Sequence, residues 1–368
     1  MYDFKNVIIG AGVIGLAIAR ELALKGEEVI VLDKEPSFGF GNSSRNSEVV
    51  HAGIYYRPNS LKARHCVLGR KLLYEYCESR NIEHDRVGKL IVATEESELE
   101  LLYNMQEHST ENGLVKSDRL NFLSKTHVSA IAPELSCVAA LHSPETGIVN
   151  SHQFMQNLEL DAQKFGTTFS YGTSVRNIEY KNSLMVAGES VNEYFKIEAK
   201  NVILAAGIHT EAISMEARLP TPSGYWLKGN YFRLRGKSPF NQLIYPVPSF
   251  GGLGIHLTID LDGFTKFGPD TQLVCDEDYR VDPSRLDDFE RSIRKYWPTL
   301  PADCLYPDYA GIRPKLYSDP TIEPDFIIYS PAQTGVEGLY VLHGIESPGL
   351  TASLSLAREI YNLIEKAT

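Results

Sequence analysis

Phe4-Lys5-Asn6-Val7-Ile8-Ile9-Gly10-Ala11-Gly12-Val13-Ile14-Gly15-Leu16-Ala17-Ile18 decides the fold. Val7-Ile8-Ile9 is an apolar run suited to a central parallel strand, and Glu28-Val29-Ile30-Val31-Leu32 is a second. Between them Ile14, Ala17, Ile18, Glu21, Leu22 and Lys25 keep helical spacing, and Gly26 ends the helix. In the linking Gly10-x-Gly12-x-x-Gly15, the first glycine makes the turn and the second lets the backbone approach a pyrophosphate. The third packs the helix on the strand. Val13 and Ile14 open that helix, whose free N–H groups and positive end suit phosphate. Asp33, with Lys34 beside it, follows the second strand, where a carboxylate accepts hydrogen bonds from adenosine ribose hydroxyls. The expectation is a Rossmann-like dinucleotide-binding domain.

Nicotinamide and flavin dinucleotides share this fingerprint, and three features further along favour FAD. The loop Gly41-Asn42-Ser43-Ser44-Arg45-Asn46-Ser47 offers hydroxyl, amide and guanidinium donors for a second turn around the pyrophosphate. Asn201-Val202-Ile203-Leu204 runs into Ala205-Ala206-Gly207, a strand end without bulky side chains. Gly344-Ile345-Glu346-Ser347-Pro348-Gly349-Leu350-Thr351 is another glycine-rich strand-to-helix turn. A nicotinamide domain has little need of it, whereas a reduced flavin gains negative charge that a helix N-terminus stabilises. Val175, on the strand-like stretch 167–179, joins this cofactor set.

The chain of 368 residues exceeds the usual size of a single core, so two domains are expected. A net charge of -11 argues against nucleic-acid binding as the main task, because phosphate backbones call for basic patches. No apolar run reaches the ~20 residues of a spanning helix. The five scattered cysteines lack Cys-x-x-Cys spacing and metal-site patterning, so no metal is expected and a reducing compartment is. The expected location is cytoplasmic or peripheral on the inner membrane.

Ser60 reads as the N-cap of a helix striped by Leu61, His65, Leu68, Leu72 and Tyr76. A strand at Lys89–Ala93 and a charged helix from about Glu95 to Asn112 look like an insertion. Residues 225–330 are rich in Tyr, Phe, Pro and Gly, with short alternating strands such as Gly254–Ile259. The expected architecture is α/β (α+β overall): a discontinuous FAD-binding domain of 1–84, 146–224 and 331–368, and a β-rich antiparallel substrate domain of 85–145 and 225–330.

The blocks Asn46–Tyr56, Gly88–Ala93, Lys228–Phe232, Gly254–Thr258, Gly311–Lys315 and His343–Thr351 resemble the D-amino-acid-oxidase-like flavoproteins. Within them, the likeness is to the L-2-hydroxyglutarate dehydrogenase/oxidase group. The resemblance implies FAD held extended in the first domain, its ring at the domain interface, and oxidation of an L-2-hydroxy acid to a 2-oxo acid. Ala52 and Gly53 enter the cofactor set with that first block. Glu48 departs from the pattern, which leads us to expect glycine there. The acidic run Asp276-Glu277-Asp278 departs as well and reads as surface.

Such chemistry needs a group to take the hydroxyl proton and another to hold the carboxylate. Histidine suits the first. His256 is preferred, on a presumed strand whose neighbours Ile255 and Leu257 face the core; His51 is second, as a residue that tunes or orients the ring; His343 supports the cofactor turn. Arg313, placed after an expected Gly-Ile turn, is the carboxylate clamp, since guanidinium forms paired hydrogen bonds. Tyr55, Tyr56, Lys228 and Tyr231 are candidates for the remaining substrate oxygens. The electron acceptor stays open among the quinone pool, an electron-transfer protein and oxygen. An amino-acid or amine oxidase is the alternative on the same fold, and a non-enzymatic flavin sensor stands behind it.

Overall fold

The computed structural model describes residues 2–181, 183–191, 193–248, 254–318 and 324–367. Strand β1 (Phe4–Ile9), helix α1 (Val13–Leu24) and strand β2 (Val29–Leu32) form the expected unit, with β1 and β2 parallel. Parallel neighbours extend the sheet on both sides: Thr168–Ser170 beside β2, and the end of the long strand Glu193–Leu204 beside β1, followed by Leu339–His343. Uninterrupted Val, Ile and Leu suit strands covered on both faces. One face packs Ile8, Val29, Val31 and Ile203 against α1 and the helices Leu61–Arg80, Ser151–Lys164 and Gly349–Ala367. The other packs Val7, Ile9 and Val202 against the antiparallel strands Thr173–Glu179 and Leu184–Ser190.

A second sheet runs through Gln272–Val274, Gly224–Leu234, Thr265–Phe267, Leu257–Ile259, Leu243–Pro246, Lys89–Ala93, Ala139–Ser143 and Asn121–Ser124, with Leu305–Leu316 paired along Gly224–Leu234. Helix Leu286–Tyr296 closes its outer side, where Phe289, Ile293 and Tyr296 meet Phe232, Leu257 and Phe267. One strand crosses the drawn boundary: Ile327–Tyr329, counted with residues 225–330, pairs with Leu339–His343 in the first sheet.

Several local expectations change. Ser60 does cap its helix, its hydroxyl accepting from Ala63 N at 3.1 Å, but Leu68 is exposed. His65, Leu72 and Tyr76 are buried as expected, and the buried face also takes in Cys66, Gly69 and Leu73, because Gly69 lets the helix approach Thr351 too closely for any side chain. The strand near His256 is only Leu257–Ile259, so His256 stands just before it, although Ile255 and Leu257 do enter the core. Arg313 follows no turn; it lies within the strand Leu305–Leu316.

Glu48 occupies the position where glycine was expected, and its backbone shows why. With φ of 59° it adopts the left-handed conformation that glycine enters freely and other residues enter at a cost. Its carboxylate offsets that cost by accepting from Ser151 N at 3.2 Å, Ser151 Oγ at 2.9 Å and Lys266 Nζ at 3.5 Å.

Candidate active site

Between the two large sheets lies a cavity of about 910 Å³. Two groups of side chains line it. The first gathers at the Gly10 turn, whose tightness is visible in what a Cβ would meet: at Gly15 the Gly10 carbonyl, at Gly12 the Ser43 hydroxyl at 2.9 Å. Ser43 Oγ accepts from Val13 N at 3.0 Å, which ties the second loop to the helix start. Asp33 accepts from Ala11 N at 2.5 Å and Glu35 N at 2.8 Å, and burial raises its carboxyl above the usual range against those two donors. Arg45 lies 4.2 Å over the Tyr279 ring, and its buried Nε has no hydrogen-bond partner among the described residues.

The acidic run is at the surface as expected, with Asp276 and Glu277 exposed, but Glu277 also reaches the cavity. It lines the cavity, pairing with His209 Nε2 at 3.2 Å and Lys34 Nζ at 3.5 Å, and accepting from Tyr279 OH at 3.2 Å.

The second group gathers His51, Tyr55, Tyr231, Tyr245, His256 and Arg313. His256 is buried and stacks on Tyr245, ring centroids 3.6 Å apart and planes 9° off parallel. Arg313 is oriented by Nη2 donating to Asp270 O at 2.6 Å and Nε to Leu227 O at 3.4 Å. Gly311, two residues before it on the same strand, and Gly229, paired with Gly311 on the adjoining strand, present no side chains to the cavity. Burial pushes the Tyr231 phenol up to about 12 even with Arg313 nearby, and raises those of Tyr55 and Tyr245, so all three keep their protons. Burial, reinforced by Lys89, pulls His51 down to about 3. His51 Nε2 lies 3.3 Å from Ser347 Oγ, and its buried Nδ1 has no hydrogen-bond partner among the described residues.

The remaining expected residues divide plainly. Asn46, Ser47 and Tyr56, then Val175, then Ala205, Ala206 and Gly207 all line the cavity. So do Ile14, Ile345, Glu346, Ser347, Gly349 and Leu350. Ser44, Ala52, Gly53, Gly344 and Thr351 are not on its wall. Thr351 works from behind, its hydroxyl accepting from His51 N at 3.0 Å. Glu346 is claimed by two ammonium groups, Lys62 Nζ at 2.8 Å and Lys315 Nζ at 2.5 Å, which hold its carboxyl below the usual range despite burial. Lys228 is not on the wall either: it alternates with Gly229 and Tyr231, and its Nζ lies 4.0 Å from Asp278. His343 is buried off the wall, and its Nε2 has no hydrogen-bond partner among the described residues.

The family model of FAD-dependent oxidoreductases matches residues 5–363. The chain belongs to this family. Among curated relatives of the oxidoreductase, the mitochondrial L-2-hydroxyglutarate dehydrogenase of Arabidopsis thaliana is 43% identical over 97% of this chain and 82% of its own length. The L-2-hydroxyglutarate dehydrogenase of an Escherichia coli strain is 28% identical over 99% of this chain and 93% of its own. Among solved structures, dithionite-reduced L-alpha-glycerophosphate oxidase from Mycoplasma pneumoniae with FAD bound superposes with a TM-score of 0.89 at 26% identity, covering 98% of this chain and 94% of that one. Glycine oxidase from Geobacillus kaustophilus superposes at 0.84 with 20% identity, covering 100% and 95%, a likeness of fold.

FAD is the cofactor of the oxidoreductase, and its residues fit that group. The cavity volume falls in the ordinary range for bound organic molecules. The orphaned Arg45 Nε, the side-chain-free backbone at Gly12 and the start of α1 are suited to phosphate oxygens.

Sequence reasoning did not select Tyr245, Lys89, Glu277 or Tyr279. Tyr245 sits in Leu243-Ile244-Tyr245-Pro246, which reads as core, and only the fold brings it onto His256.

Proposed function

We propose that this oxidoreductase oxidises the hydroxyl of an L-2-hydroxy acid, L-2-hydroxyglutarate above all, to the 2-oxo acid. The observation that carries the reading is the convergence of a histidine, an arginine and three protonated phenols on one part of one cavity, in a chain 43% identical to an L-2-hydroxyglutarate dehydrogenase. Arg313 holds the substrate carboxylate through guanidinium N–H groups left over from its two backbone contacts. His256, fixed face to face on Tyr245, accepts the hydroxyl proton. His51 stays neutral at working pH and orients rather than deprotonates, held by Ser347 and Thr351. Tyr55 and Tyr231 donate hydrogen bonds to substrate oxygens. Bound FAD supplies the acceptor for the hydride equivalent from the substrate Cα.

In this reading residues 1–84, 146–224 and 331–368 chiefly serve the cofactor and 85–145 and 225–330 the substrate, with His51 and Tyr55 of the first set reaching the substrate's part of the cavity. Electrons pass on to the quinone pool, an electron-transfer protein or oxygen, in the cytoplasm or at the inner-membrane surface. Among the described residues no helix is long and apolar enough to cross a membrane. An anaerobic absorption spectrum before and after L-2-hydroxyglutarate tests the reading: the flavin band should bleach. Bleaching by glycine, sarcosine or a D-amino acid instead would replace a hydroxy acid with an amine as substrate.

A further inference from the structure

Lys89 is among the largest fully buried side chains of the molecule, at 1% exposure. It begins the strand Lys89–Ala93, on the face that turns Ile91 and Ala93 toward Ala52 and Ile54 of the cofactor half. Its ammonium lies 4.6 Å from the Tyr55 ring centroid and 4.5 Å from that of Tyr245. Both rings line the cavity, whereas Lys89 does not. Among the described residues no carboxylate forms an ion pair with it. Its titratable surroundings are His51 and Tyr55 from the segment beneath the cavity, Tyr245 from the adjoining strand and Cys66 from helix Leu61–Arg80. Arg70 stands one turn from Cys66 and adds no negative charge. Burial keeps the Cys66 thiol up at about 12, so it provides no anion either.

A buried cation without a counter-ion is costly, and two aromatic faces offset only part of that cost. We propose that the missing counter-ion is the carboxylate substrate, and that Lys89 is a positioning residue that takes up a proton, through the Tyr55 and Tyr245 wall, when an anion enters the cavity. The inference rests on the reading of an acidic substrate. Burial lowers the free lysine to about 7, so it is poised to change charge at working pH. An anion beyond the rings, several ångströms away in a partly buried setting, favours the protonated form by about one pH unit. Affinity for the anion should therefore be fully expressed below that value and fall as pH rises through it.

The test uses holoenzyme and glutarate, a dicarboxylate with no hydroxyl to oxidise. Calorimetric titration in two buffers of different ionisation enthalpy counts the protons bound. Wild type should take up a substantial fraction of one proton near pH 7.5, and glutarate affinity should fall roughly tenfold between pH 6.5 and 8.5. Lys89→Met should lose the uptake and bind roughly tenfold more weakly at pH 6.5. Lys89→Arg, permanently charged, should bind without uptake and with flat pH dependence, and it decides the matter should the methionine variant fail to fold. Uptake that persists in either variant, or binding by wild type without uptake, overturns the proposal. Failure of L-2-hydroxyglutarate to bleach wild-type flavin would instead strike the reading of the substrate.

Discussion

The two groups of residues that line the cavity are built by opposite means. At the Gly10 turn the chemistry belongs largely to backbone: close approach at Gly12, free N–H groups at the start of α1, and an Asp33 carboxylate held by two amides. Around His256 it belongs to side chains from distant segments: Tyr231, Tyr245 and Arg313 arrive on three strands of the second sheet, and His51 from the loop after Val49–Val50. A backbone site is nearly all-or-none, because one Cβ in the wrong place removes it. A side-chain site degrades by steps, one interaction at a time.

Gly15→Val should show the largest effect. Even a Cβ there runs into the Gly10 carbonyl, so the turn cannot close and the protein should be recovered without FAD, or not recovered folded. A yellow, FAD-replete Gly15→Val protein would break the contrast. His256→Gln should retain FAD and its fold while slowing flavin reduction by about 10²–10⁴-fold, the usual contribution of a general base, read by anaerobic stopped flow. Loss of FAD alongside activity would mean that the two groups are not separable.

Arg313→Lys should be milder still. Lysine keeps the charge but loses the planar fork, so KM should rise about 10–100-fold, equivalent to roughly 1.5–3 kcal/mol, with kcat changed less. Equal loss in both constants would place Arg313 in the transition state rather than in binding.

The smallest effect is on stability. His51 is lowered to about 3, and His65 and His343 to about 4, by burial. Their unfolded forms bind protons near pH 6.5, so between about pH 6.5 and 4 the unfolded state holds more protons and stability falls as pH falls. Thermal unfolding should shift steadily downward over that window. An unchanged midpoint from pH 6.5 to 5 would remove these histidines from the core electrostatics.

The same contrast governs what could be read in advance. Gly10, Gly12, Gly15 and Asp33 lie within 24 consecutive residues, and their spacing carries the geometry. Tyr245 and Lys89 lie on two strands and His256 just before a third, with Lys89 over 150 residues earlier in the chain, and they meet only through sheet register: Ile91 against Tyr245, Ile244 against Leu257. Residue type singled out His256 and Arg313, whose chemistry is unusual among apolar neighbours. It misplaced Lys228, because a one-residue difference along a strand sends a side chain to the other face. It passed over Lys89, since a lysine at the start of an apolar run looks like a solvated strand end. Glu277 is the surface residue it looked like, but nothing in an acidic tripeptide reveals that it also lines the cavity, paired with His209 and Lys34.

Glu48 links the halves in another sense. Its carboxylate spans the seam, bonded to Ser151 at the start of a helix in the cofactor half and to Lys266 on a strand of the substrate half. A glycine at this place would be a free pivot between them; a glutamate is a rivet. The chain has a fastened joint beside the reacting groups where glycine would leave a loose one.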